Sequence, residues 1–83
     1  MEHVIIHLYV PAINASYDLK IPLSMPILDL VKLLGQAVEN LSNGAYRASG
    51  SEILSLKNKA IILEYDQTPQ DYEMQNGDVL MMM

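Results

Sequence analysis

Only one segment of this 83-residue chain, Ile27 to Leu41, repeats its apolar residues with helical spacing, and segments of period-two alternation lie on both sides of it. At 100° per residue, Ile27, Leu30, Val31, Leu34, Ala37, Val38 and Leu41 share one face, while Asp29, Lys32, Gln36, Glu39 and Asn40 lie opposite. A lone amphipathic helix must bury its stripe, and the rest of the apolar sequence offers only strands to cover it. The expectation is one helix packed across one sheet, in a single domain over residues 1–83. Pro26 is placed as the first helical residue, where its missing donor is harmless, and Asp29 suits the positive end of the helix dipole. Leu28 and Leu33 fall at the stripe's borders, half exposed, and Asn43-Gly44 supplies the stop.

The strands follow from alternation. From His3 to Val10, placing Val4, Ile6, Leu8 and Val10 inward turns His3, Ile5, His7 and Tyr9 outward. Pro11 and Asn14-Ala15-Ser16 reverse the chain, after which Tyr17, Leu19 and Ile21 alternate with Ser16, Asp18 and Lys20 as far as Pro22. Ser42 to Gly50 reads as a loop with Tyr46-Arg47 at its middle. A third strand is expected from about Glu52 to Leu56, a turn at Lys57-Asn58-Lys59, and a short fourth strand from Ala60 to Leu63 with Ile61 in the core. A polar stretch containing Thr68-Pro69 crosses to Asn76-Gly77-Asp78, a turn signal that leads into a last strand from Val79 to Met83, with Leu80 and Met82 inward.

Composition narrows the function. Ten carboxylates against five basic side chains repel a phosphate backbone, so nucleic acid is a poor partner. The chain has no cysteine, hence no disulfide framework, thiolate metal site or thiol nucleophile, which fits the cytosol. No apolar run approaches the about 20 residues of a membrane span, and no basic leader precedes the Val4–Val10 stretch; direct membrane insertion is not expected. His3 and His7 would lie about 13 Å apart on one strand, too far to share an ion, and are read as surface imidazoles. The serines lack a nucleophile elbow, and Glu64, Asp66, Asp71 and Glu73 lack the spacing of a calcium loop. Neither an enzyme nor a cofactor is expected.

The strand-strand-helix-strand-strand order with a final strand is the β-grasp plan, and the core spacing resembles ubiquitin from Ile21 through Ile27, Leu30 and Leu34, and again from Leu54 through Ile61 to Met74, Leu80 and Met82. The fold class that follows is α+β, a ubiquitin-like β-grasp with a mixed sheet of about five strands. Within that superfamily, Tyr17-Asp18-Leu19-Lys20-Ile21-Pro22, Met25-Pro26-Ile27-Leu28-Asp29-Leu30 and Asn76-Gly77-Asp78-Val79-Leu80 are similar to the YukD/EsaB-like proteins of bacterial type VII secretion systems. The resemblance implies a cytosolic component, recruited to the inner face of the membrane, that supports export of small helical WXG-motif substrates. Its partner would be a membrane-embedded subunit, the FtsK/SpoIIIE-type ATPase or the bitopic pseudokinase-like component. Modifiers and sulfur carriers of the superfamily run on to a Gly-Gly carboxylate, whereas here Met83 closes the sequence; non-covalent docking is therefore expected rather than conjugation. A β-grasp adaptor in an unrelated assembly is the alternative.

The outer sheet face carries the candidate site. With Leu80 and Met82 inward, Met81 and Met83 emerge on the opposite side, and a β-grasp sheet sets the first and last strands in parallel beside each other. Ile5, His7, Tyr9, Met81 and Met83 would then share a face. Ubiquitin binds its receptors with a hydrophobic patch on the corresponding face, but the patch centre aligns with Ser55 here. Methionine suits adaptable recognition. The face is read either as a protein-docking surface or as a self-association surface.

Overall fold

The computed structural model describes residues 2–83. Strand β1 (His3–Val10) buries Val4, Ile6, Leu8 and Val10 and turns the alternate residues out. A 3-10 turn over Pro11–Ile13 and a left-handed Asn14 (φ 48°) reverse the chain into β2 (Ala15–Pro22), paired antiparallel with β1 from Val10↔Ala15 to His3↔Pro22. Helix α1 (Ile27–Leu41) follows, then β3 (Leu54–Leu56), β4 (Ile61–Ile62) and β5 (Val79–Met82). The sheet order is β2-β1-β5-β3-β4, so the last strand fills the gap between the two hairpins, parallel to β1 and antiparallel to β3.

The turn before β5 sets its register. Asn76 Oδ1 accepts the Ile5 N–H at 2.8 Å, the Gly77 N–H donates to the Ile5 carbonyl at 2.9 Å, and the Asp78 carbonyl accepts the His7 N–H at 2.9 Å. Gly77 adopts φ 89°, a left-handed conformation that glycine enters without a Cβ penalty. These contacts place His7 opposite Val79, Leu8 opposite Leu80 and Tyr9 opposite Met81. Because side chains alternate, this single register commits Leu80 and Met82 to the core.

The helix buries Ile27, Leu30, Val31, Leu34 and Val38 against the sheet, with Leu28 and Leu33 at the exposed borders. Pro26 is not its first residue but its N-cap, with ψ 144°, and its carbonyl accepts the Leu30 N–H. No side chain caps this end. Instead the crossing segment supplies acceptors: the Gln67 carbonyl for the Ile27 N–H at 2.7 Å and the Tyr65 carbonyl for Leu28 at 3.1 Å. That segment is itself held by a capping box between Thr68 and Asp71, which gives Asp71 a structural role.

Two core assignments differ from the expected ones. Leu41, expected inside, is 54% exposed, whereas Val38 one turn earlier is fully buried and Tyr46, from the loop that follows, joins the core. Ile61 is exposed too: it stands opposite Leu56 on the same face, but β4 is a two-residue edge strand with no neighbour beyond it among the described residues. Leu63 takes the buried place, anchored by its N–H on the Leu54 carbonyl. β3 begins at Leu54 rather than Glu52, yet the inward phase extends back to Glu52, which is buried.

Leu34 and Leu33 provide a test of helix phase. Leu34→Ala is expected to cost about 2–5 kcal/mol, the range for truncating a buried leucine. Leu33→Ala, at an exposed site, should stay within about 0.5 kcal/mol. Urea unfolding of both variants checks this, and equal costs would contradict the phase.

Candidate functional site

The outer face of the sheet is laid out by its ladders. One row crosses all five strands as Ser16, Tyr9, Met81, Ser55 and Ile62; a second holds Asp18, His7 and Val79. Beyond the strand end, Met83 and Ile53 exchange backbone hydrogen bonds of 2.7 and 2.9 Å, which adds a third row. The structure therefore puts His7, Tyr9 and Met81 side by side, as expected. Ile5 and Met83 share the face but stand at opposite ends of it: Ile5 aligns with Gly77, and Gly77 to Met83 spans about 20 Å of strand. The five residues form a strip, not one patch.

The strip has two halves of different chemistry. Toward β2, polar tips are already engaged: His7 Nδ1 lies 2.8 Å from Asp18 Oδ1, and the Tyr9 hydroxyl donates to Asn14 Oδ1 at 3.1 Å. These contacts hold both rings against the sheet. Toward β4 the surface is apolar and unengaged. Met83 (63% exposed), Ile53 (46%) and Ile62 (65%) stand out from the sheet, and a shallow groove of about 390 Å³ runs between Ser51, Ile53, Ile62, Leu63, Glu64 and Tyr65. Ser55, half-buried, sits where Met81 and Ile62 flank it, so the apolar surface is displaced toward the sheet edge. Ile53, Ile62 and Tyr65 were not among the expected site residues. Ile53 could have been found by continuing the third strand's alternation outward, since Glu52, Leu54 and Leu56 point in.

The segment next to this groove is organised by a buried carboxylate. Glu52 Oε2 accepts the Tyr46 hydroxyl at 2.6 Å and the Ser49 N–H at 3.0 Å, while Oε1 accepts the Gly50 N–H at 2.9 Å. Tyr65 donates its hydroxyl to the Glu52 carbonyl at 2.7 Å, which ties the groove wall to the same residue. Burial alone would push the Glu52 carboxyl up; the Tyr46 hydroxyl and the backbone donors of Ser49, Glu52 and Gly50 outweigh it and hold the group below the usual range. Tyr46 is pushed well above its ordinary value, first by burial and then by its hydrogen bond to the charged Glu52. Tyr46 is thus a core residue although it lies in the middle of the loop, while Arg47 beside it is exposed. The loop packs closely on the helix at Gly35, where an added Cβ would stand 3.0 Å from that of Ala48.

Among the described residues, no helix is long and apolar enough to cross a membrane. Residues 3–82 match the family described as "WXG100 protein secretion system (Wss), protein YukD". The ubiquitin-like domain of the Mycobacterium tuberculosis type VII secretion system protein EccD1 superposes with a TM-score of 0.67 at 18% identity, covering 100% of this chain and 99% of that one. The EccD5 ubiquitin-like domain from Mycobacterium xenopi gives 0.71 at 16% identity, over 100% and 94% of the two chains. The ubiquitin-like domain of Plasmodium falciparum Dsk2 gives 0.74 at 15% identity, over 98% and 96%. At these identities the likeness is one of fold, and it bears out the ubiquitin-like β-grasp with its mixed sheet. No curated protein matches the sequence.

The Glu52 carboxyl is held below its unfolded value, so its stabilisation is present above the ordinary carboxylate range and is lost as pH falls through the folded value. Glu52→Gln should lower stability at pH 7 by about 1–3 kcal/mol. It should also flatten the acid limb of the stability curve below about pH 4.5. Urea titrations at a series of pH values check both; an unchanged acid limb would show that Glu52 does not carry it.

Proposed function

This chain belongs to the YukD family of the WXG100 protein secretion system, and we propose that it acts there as a non-covalent docking subunit. The outer sheet face is its contact surface. The single observation that carries this reading is the displaced apolar half of that face: Met81, Met83, Ile53 and Ile62, continuous with the groove walled by Tyr65. The helix covers the other face, so this is the side of the sheet left free for a partner. Flexible methionines beside rigid isoleucines and a tyrosine are the composition of an adaptable binding surface. His7 and Tyr9, fixed by Asp18 and Asn14, form its polar margin, and Ile5 lies at the far end.

The partner on this reading is a membrane subunit of the same secretion system, met on the cytoplasmic side: the FtsK/SpoIIIE-type ATPase or the pseudokinase-like component. EccD1 supports the placement by analogy, since there a ubiquitin-like domain is part of a type VII secretion protein.

The test uses the purified protein and purified cytosolic domains of those two subunits from the same host. Met81→Ser with Met83→Ser should weaken binding by at least about tenfold, as expected for central apolar contacts. Leu28→Ser with Leu33→Ser, on the exposed helix border, should leave it unchanged. The opposite pattern from folded variants would move the docking surface to the helix.

A further inference from the structure

The sheet has one long free edge. Among the described residues, β2 pairs with β1 on one side and with no strand on the other. The Leu23 N–H donates to the Glu2 carbonyl, and antiparallel bonding alternates in steps of two, so Ile21, Leu19 and Tyr17 address β1. The backbone groups of Ser16, Asp18 and Lys20 therefore point away from the sheet. Their odd-numbered neighbours in β1 confirm the phase, since His7 N–H and the Ile5 carbonyl serve β5. Such an edge is a template for another strand, and alternating charges normally guard it.

Here the guarding charges are complementary to themselves. We infer that β2 pairs with β2 of a second copy, antiparallel, with the two-fold axis at Leu19. In that register Asp18 of each chain stands opposite Lys20 of the other, and both pairs present outward-directed N–H and C=O groups to each other. Each chain's Ser16 N–H meets the other's Pro22 carbonyl, and Pro22, which lacks an N–H, requires no further acceptor. On the inner face, Leu19 meets its own copy and Tyr17 meets Ile21. Tyr17 and Leu19 are among the partly buried residues packed against the core, so the second strand covers apolar surface that the fold leaves half open.

The alternative two-fold register, centred on Asp18, is disfavoured by its own charges. It sets Asp18 against Asp18 and Ser16 against Lys20, and like charges directly opposite repel. A shift by one residue would point the paired backbone groups toward β1. A register centred on Lys20 opposes Lys20 to Lys20 in the same way, and those centred on Tyr17 or Ile21 leave Asp18 and Lys20 without an opposite charge, so the Leu19-centred register is the one that pairs them. The resulting dimer extends the sheet laterally to ten strands and leaves the apolar half of the outer face, on the β4 side, free; it is independent of the docking reading above.

The experiment is a charge swap followed by sedimentation equilibrium on the full chain. The native protein should show a reversible monomer–dimer equilibrium that salt weakens. Asp18→Lys and Lys20→Asp each set like charges opposite twice per dimer and should weaken association by about tenfold or more. The combined Asp18→Lys/Lys20→Asp variant restores both pairs with reversed sign and should regain dimerisation. Thermal melts confirm that each variant is folded; Lys20→Asp leaves the His7–Asp18 contact in place. In the native cysteine-free background, Leu19→Cys should cross-link to dimer on oxidation, because non-bonded antiparallel partners have Cα atoms about 4.5 Å apart. Lys20→Cys should not, since its copies lie beyond disulfide reach. A native protein that stays monomeric, single variants that dimerise normally, or a double variant that is not rescued would overturn the inference.

Discussion

The parallel pairing of β1 with β5 is the constraint on which the rest of the fold depends. Without it the chain is two separate hairpins and a helix. With it, strands from opposite ends of the sequence become the centre of one sheet, and the core closes between them and α1. The pairing is fixed by polar backbone contacts at its start: Asn76, Gly77 and Asp78 each bond to β1 before the first core residue of β5 is reached. A slip of one residue would exchange Leu80 and Met82 for Val79 and Met81 in the core. The register thus decides simultaneously what is buried and what is offered on the outer face.

The periodic parts of this architecture were legible in the sequence. β1, β2 and β5 alternate over a buried face on one side, so their phase could be read directly, and the family resemblance supplied the parallel neighbour relation. The helix stripe was also readable, apart from its last turn. What failed was geometry that periodicity does not encode. Leu41 continues the helical pattern, but the core ends at Val38 and Tyr46, and Ile61 continues the strand pattern on a two-residue edge strand. Both residues obey the local rule; tertiary extent decides against them.

The loop was the least legible element. A Glu at position 52 reads as solvated, and only the folded backbone shows that Ser49, Gly50 and Tyr46 converge on its carboxylate. The network couples two regions that sequence reasoning kept apart, because Tyr65 on the groove wall bonds the carbonyl of the same Glu52. It also explains why the outward residues of this region differ from the expected site. The phase of β1 and β5 points to Ile5, His7, Tyr9, Met81 and Met83, whereas the exposed apolar surface also takes in Ile53 and Ile62 beside the groove walled by Tyr65.

The helix covers one face of the sheet and builds the core; on the proposed reading the opposite face docks the partner, with its apolar half toward β4 at the centre. Amide chemical shifts of the isotopically labelled protein, followed on titration with the cytosolic domains of the proposed membrane subunits, decide between the two faces. The account predicts perturbations concentrated at Ile53, Ser55, Ile62, Tyr65, Met81 and Met83, fading toward Ile5. Perturbations confined to α1 around Leu28 and Leu33, with the outer sheet face silent, would contradict it.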